Sequence, residues 1–149
     1  VYDGDPRRLV GTDALGNIRE LDAETGRPIA ALAGSRGIIW NMAFSADGDR
    51  FLASGIDGFV NVYATERWTR LAVIPADPVS NVPEGFLRPD GRAVLVNNRL
   101  GVTEWTLDPE RAAAAACRLA GRNLSRLEWT TYLGDEPYRR TCAQYPAGG

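Results

Sequence analysis

Apolar and polar positions in this chain alternate in short runs punctuated by Asp-Gly turns. Phe51-Leu52-Ala53-Ser54 and Phe59-Val60-Asn61-Val62-Tyr63 are runs of β-favouring residues, and Asp47-Gly48 and Asp57-Gly58 precede them. Runs this short between Asp-Gly pairs predict antiparallel hairpins, because the pair supplies the positive-φ positions that a tight hairpin turn needs. Residues 44–68 therefore hold one complete unit, with a strand ending at Phe44, a turn at Ser45–Gly48, a second strand over Phe51–Ser54 and a third over Phe59–Tyr63.

The unit recurs. Asp47-Gly48 reappears as Asp90-Gly91 and Gly58 as Gly101, each 43 residues later; Gly58 maps back to Gly16, 42 residues earlier, and Asp47-Gly48 to Asp3-Gly4, 44 earlier. A strand-like run follows each turn glycine: Asn17–Leu21, Phe59–Tyr63 and Val102–Thr106. A period of about 40–45 residues with four strands per unit is the signature of a β-propeller blade. The expected fold is mainly β, a partial β-propeller of about two to three four-stranded blades over residues 1–107. The first repeat has too few residues before Asp3-Gly4 for an inner strand, and the third loses its fourth strand where Asp108-Pro109-Glu110 starts a helix. Val1 stands where an initiator Met would, so the chain reads as a piece of a longer protein whose upstream part carries the strand that closes the ring. A ring takes roughly four to eight blades, so such a piece exposes sheet edges and is prone to homo-oligomerise. The Pro75–Pro83 loop is longer than a turn requires, and Pro83 suits an edge strand lining a central channel.

From Asp108 the grammar becomes helical, and residues 108–149 form a two-helix C-terminal extension. Asp108 caps, Pro109 takes the first helical position and Gly121 ends a helix through Ala112–Ala116. Ser125-Arg126-Leu127-Glu128 is a capping box opening a second helix that stops at Gly134, with Leu124 placed to staple onto Trp129. The Ala-rich first helix admits a close neighbour, while Leu127, Trp129, Tyr132 and Leu133 supply the bulk on the second.

Composition narrows the chemistry. All 17 basic residues are Arg; there is no His and no Lys. A GC-rich coding sequence explains the missing Lys, and the consequence is chemical: no imidazole base, no His-containing zinc site, no Schiff base and no phosphate-loop Lys within this chain. No catalytic residue, cofactor or metal site is expected. The net charge of −2 and pI of about 5.2 argue against nucleic acid as a partner. No apolar run is long enough to insert into a membrane, and no signal peptide is present, which leaves localisation open.

The run Ile39–Gly48, followed by Leu52-Ala53-Ser54-Gly55 and Asp57–Tyr63, resembles the WD-repeat family, most specifically in the middle repeat. Gly34-Ser35 stands where the family often has Gly-His, and Leu21-Asp22, Tyr63-Ala64 and Thr106-Leu107 stand where it has Trp-Asp. Asp57 matches the turn Asp that, with a Ser, a His and a Trp, braces a blade in that family; Leu15 and Leu100 take its place in the other repeats. Asp108–Cys142 resembles the C-terminal extension of WD-repeat proteins from high-GC bacteria, implying that Cys117, Asn123-Leu124, Glu128-Trp129, Tyr132-Leu133, Tyr138 and Cys142 form a recurring structural motif. In that family the propeller is often appended to a STAND-type signalling NTPase or a protein kinase. The resemblance implies a non-catalytic protein-interaction or regulatory sensing module on the cytoplasmic or extracytoplasmic side of a membrane-anchored bacterial protein. Its partners are then other proteins or the rest of its own propeller. Two alternatives are a small-ligand-binding or enzymatic propeller with groups in absent blades, and a structural clasp for ring closure or oligomerisation.

Cys117 and Cys142 are compatible with a disulfide, worth about 3 kcal/mol by loop entropy, and equally with buried thiols in a reducing compartment. Family members with the propeller outside a membrane favour the disulfide. Asp3, Asp5, Asp13, Asp47 and Asp49 read as turn residues rather than calcium ligands, and Glu128 as a cap. Arg7-Arg8, Arg122, Arg126 and Arg139-Arg140 read as solvated surface or local ion pairs. Trp40 and Trp105 are expected between blades. Trp68, in an outer turn, is expected exposed; with Trp129, Arg139 and Arg140 it is a candidate partner contact.

Overall fold

The computed structural model describes residues 7–76, 84–98 and 101–149. The chain divides into two compact units at the Leu107/Asp108 junction. In the first lie three antiparallel sheets. β1 (Arg8–Thr12), β2 (Ile18–Asp22) and β3 (Pro28–Leu32) form one; β4 (Ile39–Phe44), β5 (Arg50–Gly55), β6 (Phe59–Ala64) and β7 (Thr69–Pro75) the second; β8 (Gly85–Leu87), β9 (Ala93–Asn98) and β10 (Gly101–Thr106) the third. Strands follow sequence order within each sheet, so each sheet is a meander, the arrangement of a propeller blade. In the second unit α1 spans Pro109–Ala120 and α2 spans Arg126–Leu133. The expectations for Asp3-Gly4, Asp5 and Leu100, and for the Pro75–Pro83 loop beyond Ala76, fall outside the described residues.

Strand periodicity explains the stacking. Along β5 and β6 side chains alternate between two faces, and both faces are buried. Phe51, Ala53 and Tyr63 pack with Val10, Ile18 and Leu32 of the first sheet and with Ile39. Leu52, Val60 and Val62, with Ile74 and Ala76, pack against Val94 and Val96 of the third. Each large side chain so buried contributes about 2 kcal/mol. The middle strands are accordingly apolar almost throughout, whereas the two outer sheets bury one face each.

Polar groups lock these sheets together. Glu20 is 2% exposed, yet it pairs with Arg8 and accepts a hydrogen bond from Trp68 Nε1 at 2.8 Å. Tyr63 Oη donates to the Ala33 carbonyl, another tie between the first and second sheets. Asn41 Nδ2 donates to the Gly85 carbonyl at 2.7 Å and Gly85 N–H donates to Ser54 Oγ at 3.1 Å, tying the second sheet to the third. Gly85 must be glycine, since a Cβ there would lie 2.6 Å from a Val60 methyl.

Two tryptophan expectations are corrected. Trp68 is not a free surface residue: at φ 50° its backbone turns the indole inward, where it is half-buried and packs edge-on against Phe51 with ring centroids 5.6 Å apart. Conversely, Trp40 and Trp105 are 54% and 41% exposed rather than buried between blades. The ladder between β4 and β5 shifts register between Ile39 and Asn41, a bulge that turns Trp40 outward. Trp105 lies on β10, beyond which no strand follows among the described residues.

Glu20→Ala leaves Arg8 and the Trp68 indole without their buried partner. It is expected to cost about 2–3 kcal/mol in urea unfolding, against about 1 kcal/mol for Trp68→Phe, which keeps the ring and loses only the hydrogen bond.

Candidate functional site

The third sheet presents an accessible apolar surface in the first unit. Its register places Phe86 opposite Leu95 and Leu95 opposite Glu104, with Val102 opposite Asn97, so these side chains share the face away from the middle sheet. Phe86 is 48% and Val102 67% exposed. Arg88 sits beside them, 3.5 Å from Glu104 and 3.8 Å from Asp90. β9 is the hydrogen-bonded neighbour of β10 along its whole length, and among the described residues no strand lies on the other side. A sheet edge flanked by exposed Val and Trp side chains is a template for added protein surface.

The turns show which parts of the WD-like pattern survive. Asp57 accepts from Arg36 N–H at 2.9 Å and Phe59 N–H at 3.2 Å. Burial alone would raise its pKa, but these donors outweigh burial and hold the carboxyl below its usual value. Ser35, in place of the family's His, is buried beside Asp57 without a well-aligned hydrogen bond, so the brace is partial. In the first repeat the carboxylate lost at Leu15 comes instead from Asp13, whose oxygens accept from the Asn17 amide at 2.8 Å and from the N–H groups of Leu15 and Asn17. Gly16 holds that turn at φ 84° against the carbonyls of Ser35 and Gly37, where a side chain would collide. Asp47 is likewise engaged, accepting from Ser45 Oγ and Asp49 N–H.

The second unit is held by its own polar hub. A disulfide joins Cys117 of α1 to Cys142, with Cα atoms 5.5 Å apart. Asn123, 2% exposed, donates from Nδ2 to the carbonyls of Cys142, Tyr145 and Pro146 at 2.8–3.0 Å. Its Oδ1 accepts from Thr141 N–H and Cys142 N–H. Ser125 and Glu128 form the capping box, and Arg122 forks onto both Glu128 oxygens at 2.7 Å. The Arg122 guanidinium, with the Ser125 N–H, pulls the Glu128 carboxyl down to about 2.

Trp129 is 2% exposed, its Nε1 donating to the Glu136 carbonyl and its ring edge-on to Tyr138, so it is a core residue of this unit and not a partner contact. Leu127, Tyr132 and Leu133, expected as packing bulk, remain exposed because this eight-residue helix buries only Trp129. Arg139 and Arg140 lie on the surface, and Arg126 covers the Tyr138 ring at 5.0 Å. No helix of the described residues is long and apolar enough to cross a membrane.

Stacked four- and three-stranded meanders with this order define a partial β-propeller, followed by a short helical extension. No protein-family model matches the chain, and no curated protein matches it. Among solved structures it is similar to the computationally designed Ika4 protein, with a TM-score of 0.56 and 17% identity over 68% of this chain and 61% of that one. It is also similar to the beta-propeller domain of Cps50 (Swd1) from Myceliophteria thermophila, with a TM-score of 0.59 and 16% identity over 71% of this chain and 38% of that one. At these identities the likeness is one of fold, and the chain spans less than two thirds of either structure.

Asn123→Ala removes the partner of several buried backbone groups at once and is expected to destabilise the second unit by about 3 kcal/mol, read by its loss of amide exchange protection. Because the Glu128 pKa is depressed on folding, its stabilising contribution is complete above its ordinary value of 4.5 and lost as pH falls through about 2. Carbon-detected NMR titration should place the Glu128 carboxyl midpoint near that lower pH, and Arg122→Gln should move it upward.

Proposed function

We propose that the chain is a non-catalytic protein-interaction module built of WD-type blades, serving as a regulatory or sensing part of a larger bacterial signalling protein. The observation that carries this reading is the open outer face and edge of the third sheet, where Phe86 and Val102 stay exposed on the outer face and Trp105 on the edge strand. Apolar side chains on an unpaired strand edge are stabilised when another protein surface lies on them. The propeller-fold neighbours are consistent with this class of role. The absence of His and Lys weighs against catalysis, since the turn carboxylates that remain are consumed by backbone donors.

A photo-reactive phenylalanine analogue at position 102, introduced into the protein in its native host, tests the reading. A discrete protein adduct that disappears with Trp105→Asp is expected; solvent-quenched probe with no protein adduct overturns it.

A further inference from the structure

A cleft between the β3–β4 linker and the second sheet carries chemistry that the fold does not use. It is an open cavity of about 460 Å³, lined among others by Arg36 from the segment after β3, Asp57 and Phe59 at the β5–β6 turn, Asn61 on β6, and Arg70 and Val73 on β7. The ladder sets Asn61 opposite Val73 and Tyr63 opposite Arg70, so Phe59, Asn61, Val73 and Arg70 share the face turned towards the first sheet. Tyr63 on that face already reaches the first sheet's Ala33 carbonyl.

Asn61 is the informative residue. It is 3% exposed, and its side-chain amide makes no hydrogen bond within the described structure. Ser35 Oγ is the only buried side-chain N or O atom without a partner among the described residues, so the Asn61 amide keeps contact with water, and its two donors and its acceptor are open to a ligand there. Its neighbours along β6, Val60 and Val62, are apolar core, so nothing about the strand itself calls for an amide there. At the mouth of the cleft the Arg36 and Arg70 guanidiniums are exposed, and neither forms an ion pair among the described residues. Asp57 is committed to backbone N–H groups. Two cations against one carboxylate leave the lining at a net charge of about +1, which suits a single negative charge better than a phosphate dianion. The guanidinium fork matches a planar carboxylate, the Asn61 amide can donate to the same group or accept a backbone N–H, and Phe59 and Val73 supply an apolar wall.

The geometry points to a carboxylate-binding site: the cleft takes a carboxylate on a short apolar or peptide stem, supplied by an acidic side chain or by a chain's C-terminus. This gives the recognition reading a second face and a ligand chemistry, and it rests on that reading only for its biological use. The test is a titration of the ¹⁵N-labelled full chain, following the Asn61 side-chain NH₂ resonance. The probes are N-acetyl-glutamate α-amide, carrying a side-chain carboxylate, N-acetyl-alanine, carrying a terminal one, and inorganic phosphate. A saturable shift with at least one carboxylate is expected, tighter than with phosphate, and the tighter of the two identifies the source. Arg36→Gln and Arg70→Gln, both at exposed positions, should each weaken binding about tenfold. No saturable shift with either carboxylate, tighter binding of phosphate, or unchanged affinity in both Arg variants overturns the proposal. If carboxylates fail to bind while position 102 still crosslinks, the cleft alone is refuted; if they bind and no crosslink forms, the open-edge reading fails and the cleft stands.

Discussion

Everything in the first unit depends on the middle sheet being buried on both faces. Most sheets can spend one face on water, but β5 and β6 cannot, because Phe51 and Tyr63 point one way while Leu52, Val60 and Val62 point the other. A one-residue slip of register would exchange the two sets and leave neither neighbour a complementary surface. The register is held locally, by the Asp47 and Asp57 turns at either end of β5, so turn chemistry and blade stacking specify the same arrangement.

Between the sheets, burial alone would permit sliding, since apolar contact has little direction. Direction comes from a few polar ties: Glu20 with Arg8 and Trp68, Tyr63 with Ala33, Asn41 and Ser54 with Gly85. Each is a hydrogen bond or ion pair of fixed length between named atoms, so displacement by even an ångström would break it. Glu20 illustrates how a charge is accommodated in such a place: one cation and one neutral donor meet it from two different sheets.

The parts of this fold legible in the sequence are those written in local chemistry. Asp-Gly turns, the 43-residue recurrence of Asp47-Gly48, the Asp108 cap and the Ser125–Glu128 box each involve residues within a few positions of one another, and propeller-like stacking follows from their spacing. What escaped depends on distant partners or on small backbone departures. The bulge at Ile39/Asn41 that turns Trp40 outward leaves no mark in residue type. Trp68 looks like a surface turn residue until its positive φ and its bond to Glu20, 48 positions away, are seen. Asp13 does the work expected two positions later, and Asn123 becomes a hub only because residues 141–146 return to it. Asn61, too, reads as one polar residue on a strand; its lack of a partner is visible only once the first sheet is laid beside it.

The disulfide of the second unit also decides how tension would travel along the chain. A stretched polypeptide spans roughly 3.5 Å per residue, so the segment between Cys117 and Cys142, 25 positions apart in sequence, could otherwise pay out a long tether. With the cysteines joined, load passes from one Cα to the other across 5.5 Å, and the covalent path bypasses α2 and the capping box, while the Asn123 bonds to Tyr145 and Pro146 are the ones a pull from the C-terminal residues meets first. A pull that reaches Cys142 would therefore arrive at α1 without unravelling the segment between the two cysteines, which makes this small unit a stiff coupling rather than a spring.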